Sequence, residues 1–353
     1  MSGRAIVVGA GIGGLATAVT LRRQGWNVAV LERGHGIPEG GTALGMWPEA
    51  MSALDELGVG ESVRRHSVLS RGATILEPSG GVIARIRDDR HAHLISRARL
   101  LTSLHAELPP GTVHWDSPIA SALDLPDADL IVGADGIHSA VRSTMWGRNA
   151  ERALGTVAFR GVLEGEVAEV TETWGDGALF GITPSSDGQT NWFACVRSDD
   201  SAAAASDVAA GLADRFAGWH AAVADIVGRL ENDAIDRREL FDVSVRHPYV
   251  SGNVALVGDA AHAMAPNLGR GACESLLDAV TLARAVAGEP DVASALRSYD
   301  RARRRRTQRI VRAARTVNGI STARRGVRLR NAGMRMLLPT SRPAALPRPT
   351  MSA

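Results

Sequence analysis

The feature that most constrains the fold is a glycine-rich turn near the start of the chain. A short β-branched run, Ala5–Val8, is followed by a segment that fits the pattern GxGxxG at Gly9, Gly11 and Gly14. In this pattern the first glycine permits a tight turn, the second lets a pyrophosphate approach the backbone, and the third lets the next helix pack closely. The phosphate charge then lies at the positive end of that helix.

The residues after this turn complete a β-α-β unit. Residues 15–24 have apolar side chains at helical spacing and are closed by Gly25, and Asn27–Leu31 is a second buried strand that ends at Glu32. A carboxylate at this point accepts hydrogen bonds from ribose hydroxyls and repels a 2′-phosphate. The sequence therefore predicts a dinucleotide-binding fold, rather than glycines that only form a turn.

Two later segments place an acidic residue just after a buried strand. In the first, the strand is followed by Asp135, with Arg142 on the next helical turn. In the second, Asn253–Val257 leads into Gly258 and Asp259, and a Pro- and Gly-rich loop then opens a predicted helix. Loops of this kind offer backbone N–H groups to an electron-rich ligand atom.

Residue counts exclude several kinds of chemistry. All 40 basic residues are arginine, which excludes a Walker-type phosphate loop, a Schiff-base enzyme and lysine-dependent halogenation. Cys195 and Cys273 form no CxxC pair, so they predict no disulfide framework and fit a reducing cytoplasm. His91 and His93 lack a further ligand nearby in the sequence, and no apolar stretch is long enough for a transmembrane helix. We expect no metal.

The charge is unevenly distributed along the chain. Residues 301–353 contain 15 arginines and no acidic residue, whereas residues 1–300 contain 25 arginines and all 38 acidic residues, a net charge of −13. One interpretation is a contact with nucleic acid or an anionic membrane, and the other, which we favour, is a basic helix docked on an acidic body. No aromatic residues are interleaved with these arginines, so we expect no nucleic-acid partner.

The three motifs together resemble one family, the flavoprotein aromatic hydroxylases of the p-hydroxybenzoate hydroxylase type, also called class A FAD monooxygenases. The resemblance covers about residues 4–315, with the motifs in the family's order and approximate spacing. Further matches are Arg97, the Trp47-Pro-Glu-Ala segment and Phe159-Arg-Gly161. Within the family the chain is most similar to the single-component branch that includes urate, hydroxynicotinate and zeaxanthin oxygenating enzymes.

The resemblance implies an α/β fold in which a Rossmann-like FAD-binding domain is interleaved with an antiparallel-sheet substrate domain and followed by C-terminal helices. The expected parts are an FAD-binding domain (residues 1–70, 96–154 and 246–290), a substrate-binding sheet domain (71–95 and 155–245), Arg-rich helices (291–330) and a loosely ordered tail (331–353). A monomer or a homodimer is expected.

The resemblance also assigns FAD to residues that match the family's motifs. The ADP half lies at the glycine turn, Glu32 and Arg33, while Arg97 lies near the pyrophosphate or ribityl chain and Asp259 at the ribityl hydroxyls. The expected cofactor-binding residues are Gly9, Gly11, Ile12, Gly13, Gly14, Glu32, Arg33, Arg97, Asp135, Arg142, Gly258, Asp259, Pro266, Asn267, Leu268, Gly269, Gly271 and Ala272.

No protein nucleophile is required, and the candidates for positions beside the flavin are Pro266 and Arg270. Arg270 stands where the family often has Gln, and Glu49 where Asn is common. The charge of Arg270 has three open roles: stabilising an anionic reduced flavin, binding an acidic substrate, or pointing to solvent.

The implied reaction is hydroxylation or epoxidation of an aromatic or conjugated small molecule. NADPH or NADH reduces FAD, O₂ forms a flavin C4a-hydroperoxide, and its distal oxygen passes to the substrate. No second GxGxxG occurs, so the sequence does not assign the pyridine nucleotide. Such a reaction needs a pocket that excludes water. The expected pocket residues are Trp47, Phe159, Arg160, Phe180, Trp192 and Phe193.

Two alternatives remain open at this point. The same FAD fold serves a dehydrogenase or oxidase that inserts no oxygen. A flavin-binding interaction protein, whose Arg-rich end contacts nucleic acid or membrane, is the alternative outside enzyme chemistry.

Overall fold

A computed structural model describes residues 2–38, 42–147, 151–186, 188–243 and 247–338. The strands are β1 (Arg4–Val8), β2 (Asn27–Leu31), β3 (Ala43–Met46), β4 (Val68–Leu76), β5 (Val82–Ser96), β6 (Val113–His114), β7 (Leu130–Gly133), β8 (Glu151–Glu164), β9 (Val170–Trp174), β10 (Ala178–Pro184), β11 (Gln189–Arg197), β12 (Asp236–Val243), β13 (Val250–Ser251) and β14 (Val254–Leu256).

The helices alternate with these strands. They are α1 (Ile12–Arg23), α2 (Pro48–Glu56), α3 (Gly60–Arg65), α4 (Arg97–Ala106), α5 (Ala140–Trp146), α6 (Ser201–Ala204), α7 (Val208–Arg215), α8 (Ala221–Val227), α9 (Asp259–His262), α10 (Gly271–Gly288), α11 (Val292–Ser321) and α12 (Val327–Leu337). Short 3-10 helices cover Ala122–Asp124, Asn232–Ala234 and Pro266–Leu268.

The first sheet has six strands in the order β13-β14-β7-β1-β2-β6, and all its pairs except β13–β14 are parallel. Helix α1 is buried from Ile12 to Leu21 because it lies in contact with both this sheet and α10. Burial on both faces explains why the central strands read as continuous apolar runs. This sheet carries the predicted β-α-β unit.

The second sheet has eight strands in the order β12-β8-β11-β10-β9-β4-β5-β3, with β4 and β9 the parallel pair. Alternate residues point to opposite faces. One face, which we call the helix face, carries Phe159, Phe180 and Trp192, which are buried with residues of α7 and α8. The opposite face, which we call the cleft face, carries Arg160, Phe193, Gly181 and Glu172, each opposite the next in neighbouring strands. Cys195 lies on the same face, two residues after Phe193 on β11.

The second sheet curls around its cleft face. Asn191, on the cleft face of β11, accepts a hydrogen bond at 3.1 Å from the backbone N–H of Ala43 at the start of β3. These strands are far apart in the strand order, so only a strongly curled sheet brings them together. The cleft face therefore lines a concave surface.

Two expectations about the organisation need correction. Strand β3 belongs to the second sheet, although residues 1–70 were all expected in the FAD-binding domain. Residues 331–337 belong to α12, so the chain is still helical where the loose tail was expected to begin. The remainder of that expected tail, residues 339–353, lies outside the described residues.

The Arg-rich C-terminal segment packs on the body as the favoured interpretation predicts. Arg303 of α11 is buried against Glu274 and Asp278 of α10, and Arg315 bonds the buried Asp242 of β12 at 2.6 Å. These acidic partners precede residue 301, so part of the charge asymmetry is cancelled by internal ion pairs.

Candidate active site

The carboxyl ends of the parallel strands bring the three sequence motifs together. Val8 lies opposite Leu31 on one side and Gly133 on the other, and Leu256 also lies opposite Gly133. The loops that follow these strands therefore start at one edge of the sheet. Ligands of open α/β sheets bind at such an edge, where the strand order reverses.

The glycine turn leaves an open cradle at this edge. A Cβ at Gly14 would lie 1.9 Å from the carbonyl oxygen of Gly9, so no side chain fits there. A Cβ at Gly11 would meet nothing within 4 Å, because its space faces the opening. No side chain caps the N-terminus of α1. Uncapped N–H groups beside open space are the arrangement that binds a phosphate.

Glu32 closes the far side of the cradle. Its carboxylate accepts hydrogen bonds from the backbone N–H of Ala10 at 2.6 Å and of Gly34 at 2.8 Å. Arg33, the next residue, is exposed. The carboxylate is thereby held at the tip of β2, in the position expected for a ribose-binding acid.

Arg97 joins the two sheets at the middle of the cleft. It is the first residue of α4 and is exposed, yet burial lowers the pKa of its guanidinium, Asp259 and Glu32 raise it, and Arg160 lowers it. These neighbours come from the tip of β2, the start of α9 and β8, so Arg97 lies between the glycine turn, α9 and the second sheet. Asp259 is exposed at the start of α9, and its carboxylate has no hydrogen-bond partner within the described ranges.

A second cradle lies at the start of α10. The 3-10 turn Pro266–Leu268 ends at Gly269 in the left-handed region, and no side chain caps α10. Two buried polar atoms here have no partner, Nε1 of Trp47 and Oδ1 of Asn267. Buried polar groups are normally hydrogen-bonded, so an orphaned donor and acceptor beside a free helix N-terminus fit a heteroaromatic ligand.

Arg270 does not offer a free charge to this second cradle. Its guanidinium donates to Glu274 at 2.8 Å and lies 3.6 Å from Glu49. Burial lowers the pKa of Arg270, but the Glu274 carboxylate, followed by Glu49, raises it by more. The Arg270 side chain is 18% exposed, so it does not simply point to solvent. Because it is already paired, these contacts give no support to its binding an anionic flavin or an acidic substrate.

The side chains of Asp135 and Arg142 are engaged by hydrogen bonds to other residues of the protein. Asp135 accepts from Ser139 Oγ at 2.5 Å and from the backbone N–H of Val141 at 3.1 Å, so it caps α5. Arg142 is buried and donates to the carbonyl oxygens of Ala260 and Ile137 and to Glu151. Arg142 thereby fixes the loop that presents Asp259. The expected place of Asp135 and Arg142 among the cofactor-binding residues stays a prediction.

Five of the six expected pocket residues divide between the two faces of the second sheet, and the sixth, Trp47, lies outside it. Phe159, Phe180 and Trp192 lie on the helix face and are at most 1% exposed, so their expected pocket role is corrected to packing. Phe193 and Arg160 lie directly opposite each other on the cleft face. Trp47 precedes α2, and its indole lies 3.9 Å from the Cβ position of Gly269.

Behind the second cradle lies a buried network of charged side chains that was not predicted from the sequence. Asp278 accepts from Arg303 at 2.6 Å, from His262 at 2.5 Å and from the backbone N–H of Gly258 at 2.8 Å. Burial lowers the pKa of His262, but Asp278 raises it by more. The helical spacing of Glu274 and Asp278 on α10 is the signal that could have placed both acids on one face.

Glu172 and Asn191 of the cleft face were also missed. The alternation in Val170–Trp174 places Glu172 on the same side as Trp174, but strand pairing is needed to tell which face that is. No group of three or more His, Cys, Asp or Glu side chains that could hold a metal occurs in the described part of the chain. In the same ranges, no helix combines the length and the apolar character that crossing a membrane requires.

Comparisons with known proteins agree with this geometry. The family model described as FAD binding domain matches residues 3–108 and 126–314. The aurachin C monooxygenase/isomerase of Stigmatella aurantiaca is 33% identical over 322 residues, which cover 84% of each chain. An FAD-dependent urate hydroxylase of Klebsiella pneumoniae is 30% identical over 357 residues, which cover 88% of each chain.

Solved structures give the same result. The crystal structure of Klebsiella pneumoniae HpxO complexed with FAD and uric acid matches with a TM-score of 0.84 and 26% identity, over 95% of this chain and 93% of that chain. A salicylate hydroxylase substrate complex matches with a TM-score of 0.79 and 24% identity, over 95% and 93% of the two chains, and this likeness concerns the fold alone.

Proposed function

Because this chain belongs to the FAD binding domain family and is an oxidoreductase of the class A flavoprotein hydroxylase type, we propose that it inserts one oxygen atom from O₂ into an aromatic or conjugated small molecule with NADH or NADPH as reductant. The relatives are named as monooxygenases and hydroxylases of such molecules, which supports the substrate class.

The observation that carries the proposal is the pair of cradles at one sheet edge, both facing the concave sheet. Gly11 and the N-terminus of α1 suit a pyrophosphate, with Glu32 beside it for a ribose. The start of α10, with the orphaned atoms of Trp47 and Asn267, suits the flavin ring. Arg97 and Asp259 lie between these ends and would hold the linking chain.

Bound FAD would supply the redox chemistry: two electrons from NAD(P)H and activation of O₂, so that one oxygen atom enters the substrate and the other leaves as water. The residues of this chain bind, orient and exclude water. Phe193 and Leu179 on the cleft face form an apolar wall with Cys195. The Ala43–Asn191 hydrogen bond closes that wall from one side. Excluding water from this site would keep activated oxygen from being lost before it reaches the substrate.

The first experiment tests the cofactor with matched alanine variants of the glycine turn. Gly11→Ala has room for its Cβ in the protein, but the methyl enters the space assigned to the pyrophosphate. Gly13 is also among the expected cofactor-binding residues, but it would act through its backbone, which Gly13→Ala keeps. The added Cβ lies against the protein, at an ordinary 3.5 Å from Ser275 and Val257. We expect G11A to keep the thermal stability of the apoprotein and to weaken FAD binding at least tenfold, whereas G13A retains FAD. Equal FAD affinity in the two variants contradicts the assignment.

The second experiment tests the reaction. The FAD-loaded protein is reduced anaerobically with NADPH or NADH, with and without phenolic and heteroaromatic compounds, and then exposed to oxygen. A product one oxygen atom heavier than the compound supports the proposal. An oxidised product without added oxygen indicates a dehydrogenase or oxidase. Failure to retain FAD, together with salt-dependent DNA binding that is lost when the exposed Arg305, Arg309 and Arg312 are replaced by Gln, indicates an interaction protein.

A further inference from the structure

Glu172 is a carboxylic acid on the apolar wall of the cleft. In the strand register it lies beside Gly181 of β10 and Ile75 of β4, and Gly181 lies beside Phe193 of β11. Residues opposite each other in neighbouring strands share a face. Glu172 therefore lies on the cleft face, opposite to the face where its neighbour Thr173 bonds His220 at the start of α8.

Only one oxygen of this carboxyl is used by the protein. The indole N–H of Trp174 donates to Oε2 at 2.9 Å, and Oε1 has no hydrogen-bond partner among the residues that the structure describes. The side chain is half-buried, and burial raises the pKa of its carboxyl above the ordinary value. The free oxygen thus combines poor solvation with access from the cleft.

Packing alone does not account for an acid at this position. Placing a carboxyl among apolar side chains costs free energy unless all its polar atoms find partners. The indole of Trp174 needs one acceptor, which an uncharged side chain such as Gln also provides. The second oxygen makes no hydrogen bond within the described residues and is not fully buried, so it is free to accept a hydrogen bond from a ligand on the cleft face.

Two of the cations near the cleft are paired with other side chains. Arg160 donates to Asp236 at 2.8 Å, and Arg270 is paired with Glu274. Arg97 lies within electrostatic range of Asp259 and Glu32 on the cofactor side and of Arg160 on the cleft face, but no interaction with Glu172 contributes to its pKa. Beside Glu172 itself, the wall is formed by uncharged residues such as Ile75, Phe193 and Cys195. A substrate carboxylate would meet a second carboxyl there without a compensating charge.

We propose that Glu172 is the specificity-determining residue of the cleft, and that it binds an N–H or O–H donor on an uncharged aromatic or conjugated ring and disfavours carboxylate-bearing substrates. The donor on the ring contacts Oε1 while Trp174 holds Oε2, so the carboxyl fixes which edge of the ring faces it. This inference rests on the proposed function, because it places the substrate in the same cleft.

Three probes with one ring system test the proposal on the oxidised, FAD-loaded full-length protein. They are 1-naphthol, 1-methoxynaphthalene, in which the donor is blocked, and 1-hydroxy-2-naphthoate, which adds a carboxylate. Binding is followed by the change in flavin absorbance, which does not depend on turnover. The variants are Glu172→Gln, Glu172→Leu and the matched control Glu169→Gln, which makes the same change at an exposed position just before β9.

We expect wild type and E169Q to bind 1-naphthol at least tenfold more tightly than 1-methoxynaphthalene. E172L loses this preference, E172Q retains most of it because the amide oxygen still accepts, and both E172 variants bind 1-hydroxy-2-naphthoate at least tenfold more tightly than wild type does. Thermal unfolding and FAD retention show whether each variant is folded. If E172L does not fold, E172Q still tests the carboxylate affinity, because its amide oxygen remains an acceptor for Trp174.

Two results overturn the inference. One is an unchanged donor preference and an unchanged carboxylate affinity in a folded E172 variant. The other is an FAD-loaded wild-type protein that binds none of the three probes. Both leave the proposed function standing, since that depends on FAD retention and oxygen insertion, whereas a protein that holds no FAD fails at the earlier step.

Discussion

The two faces of the eight-stranded sheet are built from the same strands and serve different ends. On the helix face, Phe180 stacks on Trp192 with ring centroids 5.8 Å apart and meets Phe216 edge-on at 5.1 Å. On the cleft face, the neighbouring position is Gly181, whose missing side chain leaves room for the ring of Phe193. The helix face is closed by α7 and α8. The cleft face is covered by residues of α11 and α12 near Leu179 and Cys195, and it keeps half-buried side chains at Glu172 and Phe193.

The difference shows how a strand separates stability from function. Side chains alternate in direction, so consecutive residues can be selected for different purposes. Phe180 is fully buried in the core. Its neighbour Gly181 leaves space for the ring of Phe193, and Glu172, opposite Gly181 on β9, has a free carboxyl oxygen. Substitutions on the helix face should change the free energy of unfolding, and those on the cleft face should change ligand binding.

The largest expected effect is on the helix face. Phe180→Ala removes a fully buried ring and should lower the free energy of unfolding by about 3–5 kcal/mol, measured by urea denaturation. The folded fraction should keep the FAD affinity of wild type. The matched change on the other face, Phe193→Ala, should cost less stability because this ring is half-buried. A larger loss for F193A than for F180A contradicts the comparison.

Filling the glycine of the cleft face should have an intermediate effect. The Cβ of Gly181→Ala would lie 2.0 Å from the ring of Phe193, so the ring must move. Overpacking of this kind costs about 1–3 kcal/mol. In the double variant G181A/F193A the clash is absent, so its loss should be smaller than the sum of the two single losses. Additive losses would show that Phe193 is not the obstacle.

A third buried region, the ion pairs of His262, Asp278 and Arg303, differs from both faces because it consists of charged side chains, so its contribution to stability should depend on pH. The pKa of His262 is raised in the folded state by Asp278. A raised folded pKa stabilises the protein below the unfolded value of about 6.5, and this contribution is lost as pH rises through the folded pKa. Stability should fall over that window by at most about 1.4 kcal/mol per pH unit.

The matched variant His262→Gln lacks this titration. We expect its unfolding free energy, measured by urea denaturation at intervals of pH, to lack the decline that wild type shows above pH ~6.5. The same slope in both proteins would mean that another group titrates in that window.

The smallest expected effect is at the rim of the cleft face. Arg160 and Asp236 form an ion pair in which each side chain is 40% exposed. Arg160→Gln should therefore change stability by less than about 1 kcal/mol. Because the guanidinium is already paired, the affinity for 1-naphthol should stay within about threefold of wild type. A larger loss of affinity with unchanged stability would make Arg160 a substrate contact, as the sequence analysis expected.

Local sequence determined the nucleotide-binding half of the protein. The strand, glycine turn, helix and terminal Glu32 lie within about thirty consecutive residues, and each step depends on neighbours in the chain. The predicted family is confirmed by the match to the FAD binding domain model and by the relatives. The order of the three motifs was enough for that, because spacing along the chain is itself a sequence property.

Only the tertiary structure decided what each polar side chain contacts. Arg142 and Arg270 stand in cofactor motifs, yet their donors are taken up by Ala260, Glu151 and Glu274. Those partners lie on different elements, so the pairing depends on helix and loop positions that no local pattern specifies.

The same holds for the two faces of the second sheet. The alternation in β9, β10 and β11 shows that each strand has two sides, but not which side meets α7 and α8. That choice depends on pairing between strands that are distant in sequence and on the curl that brings Asn191 to Ala43. The three motifs and their order therefore carried the resemblance to the family and its cofactor fold. Tertiary packing sets the direction of each strand's faces, and it decided that Glu172 lies on the cleft face and Phe180 in the core.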